Sequence, residues 1–208
     1  MHLLVAALLL DTLLVRPAPA PVVFDGVASR EEYGAPTLEL ARPAGVVQLW
    51  VVRHGGSVVV AARMPDRTVS WGDDLVISLD TQGDRAPGPM HDDFQWYFRR
   101  VLDSSVVLRG EAGTWRAPRD DPDWRLGAER EGGGWEVRAV SDAEGWSLEF
   151  RMDQAYFAEA GAGRPGLAFR VFDDDPQGWV AWPTAPRVKH PTEVERQPAL
   201  WAPVSFTR

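Results

Sequence analysis

The sequence predicts an all-β fold, an antiparallel β-sandwich of the immunoglobulin or jelly-roll type with one short helix. Three observations predict it. Apolar residues recur with a period of two, glycine and proline punctuate those runs at short intervals, and only Gln154–Ala160 carries a convincing helical pattern. About ten strands at that spacing, with almost no helix, pack as two antiparallel sheets.

The elements follow in order. Leu3 to Leu10 form an unbroken apolar run, followed by Asp11-Thr12 and then Leu13-Leu14-Val15. A transmembrane helix needs roughly 20 apolar residues, so this stretch does not span a bilayer. It reads as the apolar part of an export signal closing on Ala18-Pro19-Ala20. Residues 1–20 are therefore expected to be a signal peptide and 21–208 one domain, secreted or periplasmic. An uncleaved N-terminal helix or a misplaced start codon is the other reading of the same residues. Strands are expected over Val46–Arg53 and Ser57–Arg63, joined by the hairpin turn His54-Gly55-Gly56. In Asp74–Asp80, Leu75, Ile77 and Leu79 point one way, and Asp74, Ser78 and Asp80 the other. Phe94, Trp96 and Phe98 alternate with Gln95, Tyr97 and Arg99. Ser105–Arg109, Trp135–Val140, the alternating Trp146–Asp153, Leu167–Val171, Trp179–Trp182 and Val204–Phe206 complete the set. Two loops, Gln82–Asp92 and Glu111–Gly134, are long enough to carry function.

Composition removes several function classes. Of 208 residues, 22 are Lys or Arg and 30 Asp or Glu, a net charge of −8, and Lys189 is the sole lysine. A nucleic-acid binder needs a basic face, which this balance does not supply. Cysteine is absent, which excludes disulfides, thiolate metal sites and a cysteine nucleophile. No G-x-S-x-G elbow is present. A carboxylate pair such as Glu136 and Glu149 arises easily by chance in so acidic a chain, so a non-catalytic protein is expected. The positive signal is ten tryptophans beside three tyrosines, more indole than a core requires.

Three segments carry a family likeness. The first is Asp25-Gly26 with Glu32-Tyr33-Gly34-Ala35. The second runs from Ser70-Trp71-Gly72-Asp73-Asp74 through Leu75–Asp80. The third couples Gly145–Phe150 to Phe169–Asp174 and Trp182-Pro183. In order and spacing, from about residue 22 to the end, the chain resembles the family 9 carbohydrate-binding modules and their wider DOMON-like relatives. The resemblance implies a β-sandwich, sugar clamped between aromatic rings, structural calcium, and a partner glycoside hydrolase or other exported protein. It departs from those modules at Val76, where they carry a glutamate that hydrogen-bonds sugar hydroxyls.

The candidate aromatic set is Trp71, Tyr97, Trp179 and Trp182, because the C–H faces of sugars stack on indole while hydroxyls need planar polar partners. The resemblance makes Trp71 and Trp182 the clamp, with Asp74, Tyr97, Arg99 and Asp173 as flanking and polar partners. Core or corner tryptophans would give the same pattern. Asp80, Asp84, Asp92 and Asp93 bracket one loop and are the expected calcium ligands, since calcium takes several hard oxygens, although loop acids also serve as turn-formers. Haem-binding domains of periplasmic oxidoreductase subunits share the fold and use Met, Lys or His as axial ligands. Met64, Met90, His91, Lys189 and His190 keep that reading open, as does a protein-interaction scaffold.

Overall fold

The computed structural model describes residues 12–100, 106–117, 134–157, 163–184 and 191–207. Among the described residues, thirteen strands form two packed sheets that share a continuous hydrogen-bonded path. The first sheet runs β8 (Thr114–Arg116), β7 (Val106–Glu111), β6 (Asp93–Arg99), β5 (Asp74–Asp80) and β11 (Gly166–Asp174). Beyond β11 its far edge is shared by β12 (Gln177–Trp182) and β13 (Ala202–Phe206). The second runs β3 (Gly45–His54), β4 (Ser57–Pro65), β10 (Gly145–Asp153) and β9 (Trp135–Asp142), with β2 (Leu38–Arg42) beside β3. Strand β1 (Leu13–Pro17) joins the two sheets. Leu13–Val15 pair in parallel with Val204–Phe206 of β13, and Arg16 and Pro17 with Val52 and Arg53 of β3.

The period of two in the sequence is the partition between core and surface. Leu75, Ile77 and Leu79 of β5, Trp96 and Phe98 of β6, and Phe169 and Val171 of β11 face Leu49, Val58, Val60, Met64, Leu148 and Phe150 across the sandwich. Phe150 sits at the centre, with ring centroids 5.0 Å from both Trp96 and Phe98. Burying a side chain of this size stabilises by about 1.5–3 kcal/mol, so this layer carries most of the folding energy.

Each sheet is also covered on its outer face. On the second sheet, Trp50, Val52, Val59 and Ala61 pack under Ala28 and Tyr33, the latter on the short helix α1 (Arg30–Tyr33). The Asp25-Gly26 motif and Glu149 are the anchor of that cover. The buried Glu149 carboxylate accepts the amides of Asp25 and Gly26 at 2.7 and 2.6 Å, and the Tyr33 hydroxyl donates to it. Gly26 is required there, because it has φ +90° and a Cβ would lie 3.0 Å from the Ala139 backbone. Glu149 is therefore a structural clasp. Its partner in the chance pair, Glu136, is ion-paired with Arg151 on the adjacent strand.

Three differences from the sequence expectations have physical causes. Residues 13–17, inside the expected leader of 1–20, form β1, and its Leu13 and Val15 are buried in the core at 3% and 0% exposure. An apolar run reads alike whether it serves export or a core. The expected helix at Gln154–Ala160 is a 3-10 turn over Gln154–Phe157, and residues 158–160 lie outside the described residues. Strands β2 and β8 are additional to the expected set, β8 being only three residues long. The Glu111–Gly134 loop begins with the β7–β8 hairpin, and its stretch 118–133 lies outside the described residues.

Candidate functional site

Among the described residues, the outer face of the first sheet is covered at one end. There α2 (Pro191–Glu195) and the following turn lie over Ala168 and Ala181, bringing Val194 and Trp201 into a small apolar cluster. Trp115 stacks on Trp201 with ring centroids 6.2 Å apart, and its indole N–H donates to the Glu195 carbonyl at 2.9 Å. The other end is left open by the described residues and carries the exposed indoles Trp71 and Trp179.

That open end is built from one lateral row. Trp179 of β12 pairs with Phe172 of β11, Phe172 with Asp74 of β5, and Asp74 with Arg99 of β6. Laterally paired residues project to the same face, so four adjacent strands present Trp179, Phe172, Asp74 and Arg99 over roughly 14 Å, three inter-strand spacings. Trp71 completes the row from the loop before β5. Its carbonyl accepts from Arg99 at 2.8 Å, and the Arg99 guanidinium lies 3.6 Å from its ring centroid. Trp71 is 71% exposed and Trp179 38%, whereas Trp50, Trp96, Trp146 and Trp201 are all but fully buried. Ordinary hydrophobic packing does not leave two large indoles in water on one face.

Polar groups beneath the rings are held rigidly. Arg170 of β11 donates to Asp74 at 2.8 Å and pairs with Glu195 of the covering segment, while the Tyr97 hydroxyl donates to Asp74 at 2.6 Å. Burial pushes the Asp74 carboxyl up to about 6, against the pull of Arg170 and Tyr97. Burial also disfavours the Arg170 charge, but Asp74 and Glu195 outweigh it and hold the guanidinium above its ordinary range. Val76, buried between Arg170 and Tyr97 in the next row, leaves the polar work to those two side chains.

The structure brings together Trp71, Asp74, Tyr97 and Arg99 of the expected set, and it separates two others. Trp182 pairs with Phe169, in the inner row, and packs against the core with ring centroids 6.1 Å apart. It lines a cavity of about 530 Å³ beside β1 together with Leu13, Pro17, Tyr33 and Leu38. Asp173 also faces inward: it is fully buried and ion-paired with Arg42 at 2.6 Å. Parity explains both, since the alternation Leu167, Phe169, Val171 continues inward to Asp173. Trp179 and Trp182 are an odd number of residues apart and so face opposite ways. Trp179, rather than Trp182, stands on the outer face with Trp71. Phe172, Arg170 and Glu195 were not singled out, although the same alternation places Arg170 and Phe172 outward.

At the far end of β5, roughly 20 Å away along the strand, lies an acidic cradle. Asp80, Asp84 and Asp92 bring carboxylate oxygens within 4.8 Å of one another. Asp80 accepts the amides of Gly83 and Arg85, and Asp93 the amide of Met90. Both oxygens of buried Asp92 and Oδ1 of Asp93 accept no hydrogen bond, and His91 Nδ1 is 3.9 Å from Asp92. Burial, reinforced by Asp80, Asp92 and Asp84, pushes Asp93 up to about 8. Buried, orphaned carboxylate oxygens facing two more acids suit a hard cation such as calcium. A second acid group, Asp66, Asp73 and Asp173, is different because Arg42 and Arg100 already neutralise most of its charge.

The residues that keep the haem reading open stand in different surroundings. Met64 is a fully buried core residue and His91 is a surface side chain, while Lys189 and His190 lie outside the described residues. No helix among the described residues is long and apolar enough to cross a membrane.

Two sheets of this order, bridged at the N-terminus and carrying exposed indoles on one outer face, define a β-sandwich. No protein-family model matches the chain, and no curated protein matches it in sequence. Its fold is that of the family 9 carbohydrate-binding modules. One from Caldicellulosiruptor kristjanssonii, solved in complex with cellotriose, superposes with a TM-score of 0.57 at 14% identity, over 95% of this chain and 94% of that one. The module from that organism in complex with glucose gives 0.56 at 14% identity, over 93% and 95%.

Proposed function

We propose that this chain is a non-catalytic glycan-binding domain that holds a sugar on the open face of the first sheet, stacked on Trp71 and Trp179. The observation that carries this reading is the pair of solvent-facing indoles at the two ends of the Phe172–Asp74–Arg99 row. Indole supplies the apolar stacking surface, and Arg99, Arg170, Tyr97 and Asp74 supply donors and acceptors for hydroxyls. The modules of like fold, crystallised with cellotriose and glucose, support a β-linked glucan or its terminal sugar as the first ligand to try.

Calcium belongs to the same proposal in a structural role. Asp80, Asp84 and Asp92 would hold the ion, with Asp93 beside them, and when bound it would neutralise a loop that otherwise confines four acids. Export is part of the proposal on condition that β1 stays with the domain, and so is a partner enzyme acting on the same glycan.

The test is calorimetric titration of cellotriose into wild type, Trp71→Ala and Trp179→Ala. Removing one stacking ring should weaken binding about five- to 150-fold, the equivalent of the roughly 1–3 kcal/mol measured for base–aromatic stacking. Unchanged affinity in both variants would refute the site.

A further inference from the structure

The two rings of the site stand on separate segments, Trp71 on the β4–β5 loop and Trp179 on the β11–β12 hairpin, and something must set their spacing. The segments meet closely. A Cβ on Gly72 would lie 2.9 Å from Cβ of Asp174, so the loop backbone rests directly on the hairpin. The Ser70 hydroxyl lies 2.6 Å from Asp174 Oδ2, and the Thr68 hydroxyl donates to the Asp175 carbonyl at 2.6 Å. Beneath them the Asp73 carboxylate, 1% exposed, accepts from both sides. Oδ2 takes the Ser70 amide at 2.8 Å and Oδ1 the Asp174 amide at 3.3 Å.

We infer that Asp73 is the positioning residue of the aromatic site, a buried clasp that fixes the Trp71 loop against the hairpin bearing Trp179. The inference rests on the glycan reading for its functional meaning, though not for its geometry. The groups around the clasp keep it in place. Arg100 lies 3.8 Å from Asp73 Oδ2, pairs with Asp66 at 3.1 Å, and donates its own amide to the Asp73 carbonyl at 3.1 Å. Arg42 pairs with Asp173 at 2.6 Å and donates to the Pro65 carbonyl. Three acids against two guanidinium groups leave one excess negative charge in a buried place. In keeping with this, burial pushes Asp73 up to about 6, opposed by its two amide donors and reinforced by Asp66. The arginines fill the positions around the acids, so the cluster acts as an internal strut.

The experiment compares wild type, Asp73→Asn and Ser70→Ala by amide hydrogen exchange and by cellotriose affinity. In Asp73→Asn the Ser70 and Asp174 amides should exchange at least about tenfold faster while core amides such as Ile77 and Phe169 are unchanged, the signature of local opening. Affinity should fall about tenfold, and Trp71→Ala should weaken binding less in the Asp73→Asn background than in wild type, since coupled residues are non-additive. Uniformly faster exchange across the core, or an additive Trp71 effect, would overturn the positioning role. Should Asp73→Asn fail to fold, Ser70→Ala leaves the buried cluster intact. It should speed Asp174 exchange and lower affinity a few-fold, and no change in either would overturn the inference. If wild type binds no cellotriose, the glycan reading fails, and the exchange pattern still decides the clasp.

Discussion

Deleting residues 1–20 should remove a large part of the stability of the domain. Strand β1 buries Leu13 and Val15 at 3% and 0% exposure and pairs with β13 on one side and β3 on the other. Each apolar side chain of this size contributes about 1.5–3 kcal/mol on burial, so the two together account for about 3–6 kcal/mol as an upper estimate. The lost ladder hydrogen bonds to β13 and β3 add about 0.5–1.5 kcal/mol apiece. A domain of this kind has about 5–15 kcal/mol in all, so the truncated chain should be marginal. Urea unfolding of residues 1–208, residues 21–208, and the full chain with Leu13→Ala or Leu14→Ala makes the comparison. Leu13→Ala should cost about 2–5 kcal/mol, while Leu14, 46% exposed on the same strand, should change stability by less than about 0.5 kcal/mol. An unchanged midpoint for residues 21–208 would refute the structural role of β1. In an exported sample, mass spectrometry should find Leu13–Pro17 retained.

Calcium at about 100 times its dissociation constant should stabilise the metal-stripped protein by about 2.7 kcal/mol, read as a higher Tm. Asp92→Ala should abolish the rise, which should also shrink in acid as protons compete for the carboxylates. Identical melting curves with chelator and with millimolar calcium would remove the site. Trp182→Ala should behave as a core truncation, costing about 3–5 kcal/mol while the folded fraction keeps its sugar affinity. Lost binding at unchanged stability would instead restore Trp182 to the clamp. Burial holds Asp74 near 6, above its unfolded value of about 3.9, so its contribution is full below that lower value and fades as pH rises through 6. Asp74→Asn should flatten that part of the stability–pH curve, and an unaltered curve would contradict the assignment.

The sheets were legible because most strands have one buried face, which writes a period of two into the sequence. Leu75, Ile77 and Leu79 inward with Asp74, Ser78 and Asp80 outward is the observed arrangement. Strand β1 was not legible, since one partner, β13, lies at the other end of the chain and two parallel pairings leave no turn to mark them. Among the candidate residues, Trp71, Asp74, Tyr97 and Arg99 fall together on the outer face, where loop position and alternation both point. Trp182 and Asp173, chosen on a motif, face inward by strand parity. The clasp at Asp73 had no sequence signal, because neighbouring Asp73 and Asp74 look equivalent until the strand register turns one towards the loop and the other towards Arg170.

The central claim is that a glycan binds between Trp71 and Trp179 on the open face of the first sheet. Each of the ten tryptophans carries an indole N–H that gives its own NMR signal, so one titration with cellotriose reports on every ring at once. The Trp71 and Trp179 signals should move together along a single saturable curve, while those of Trp96, Trp146, Trp182 and Trp201 stay in place. Movement confined to Trp182, or no movement of any ring at millimolar cellotriose, would contradict the account.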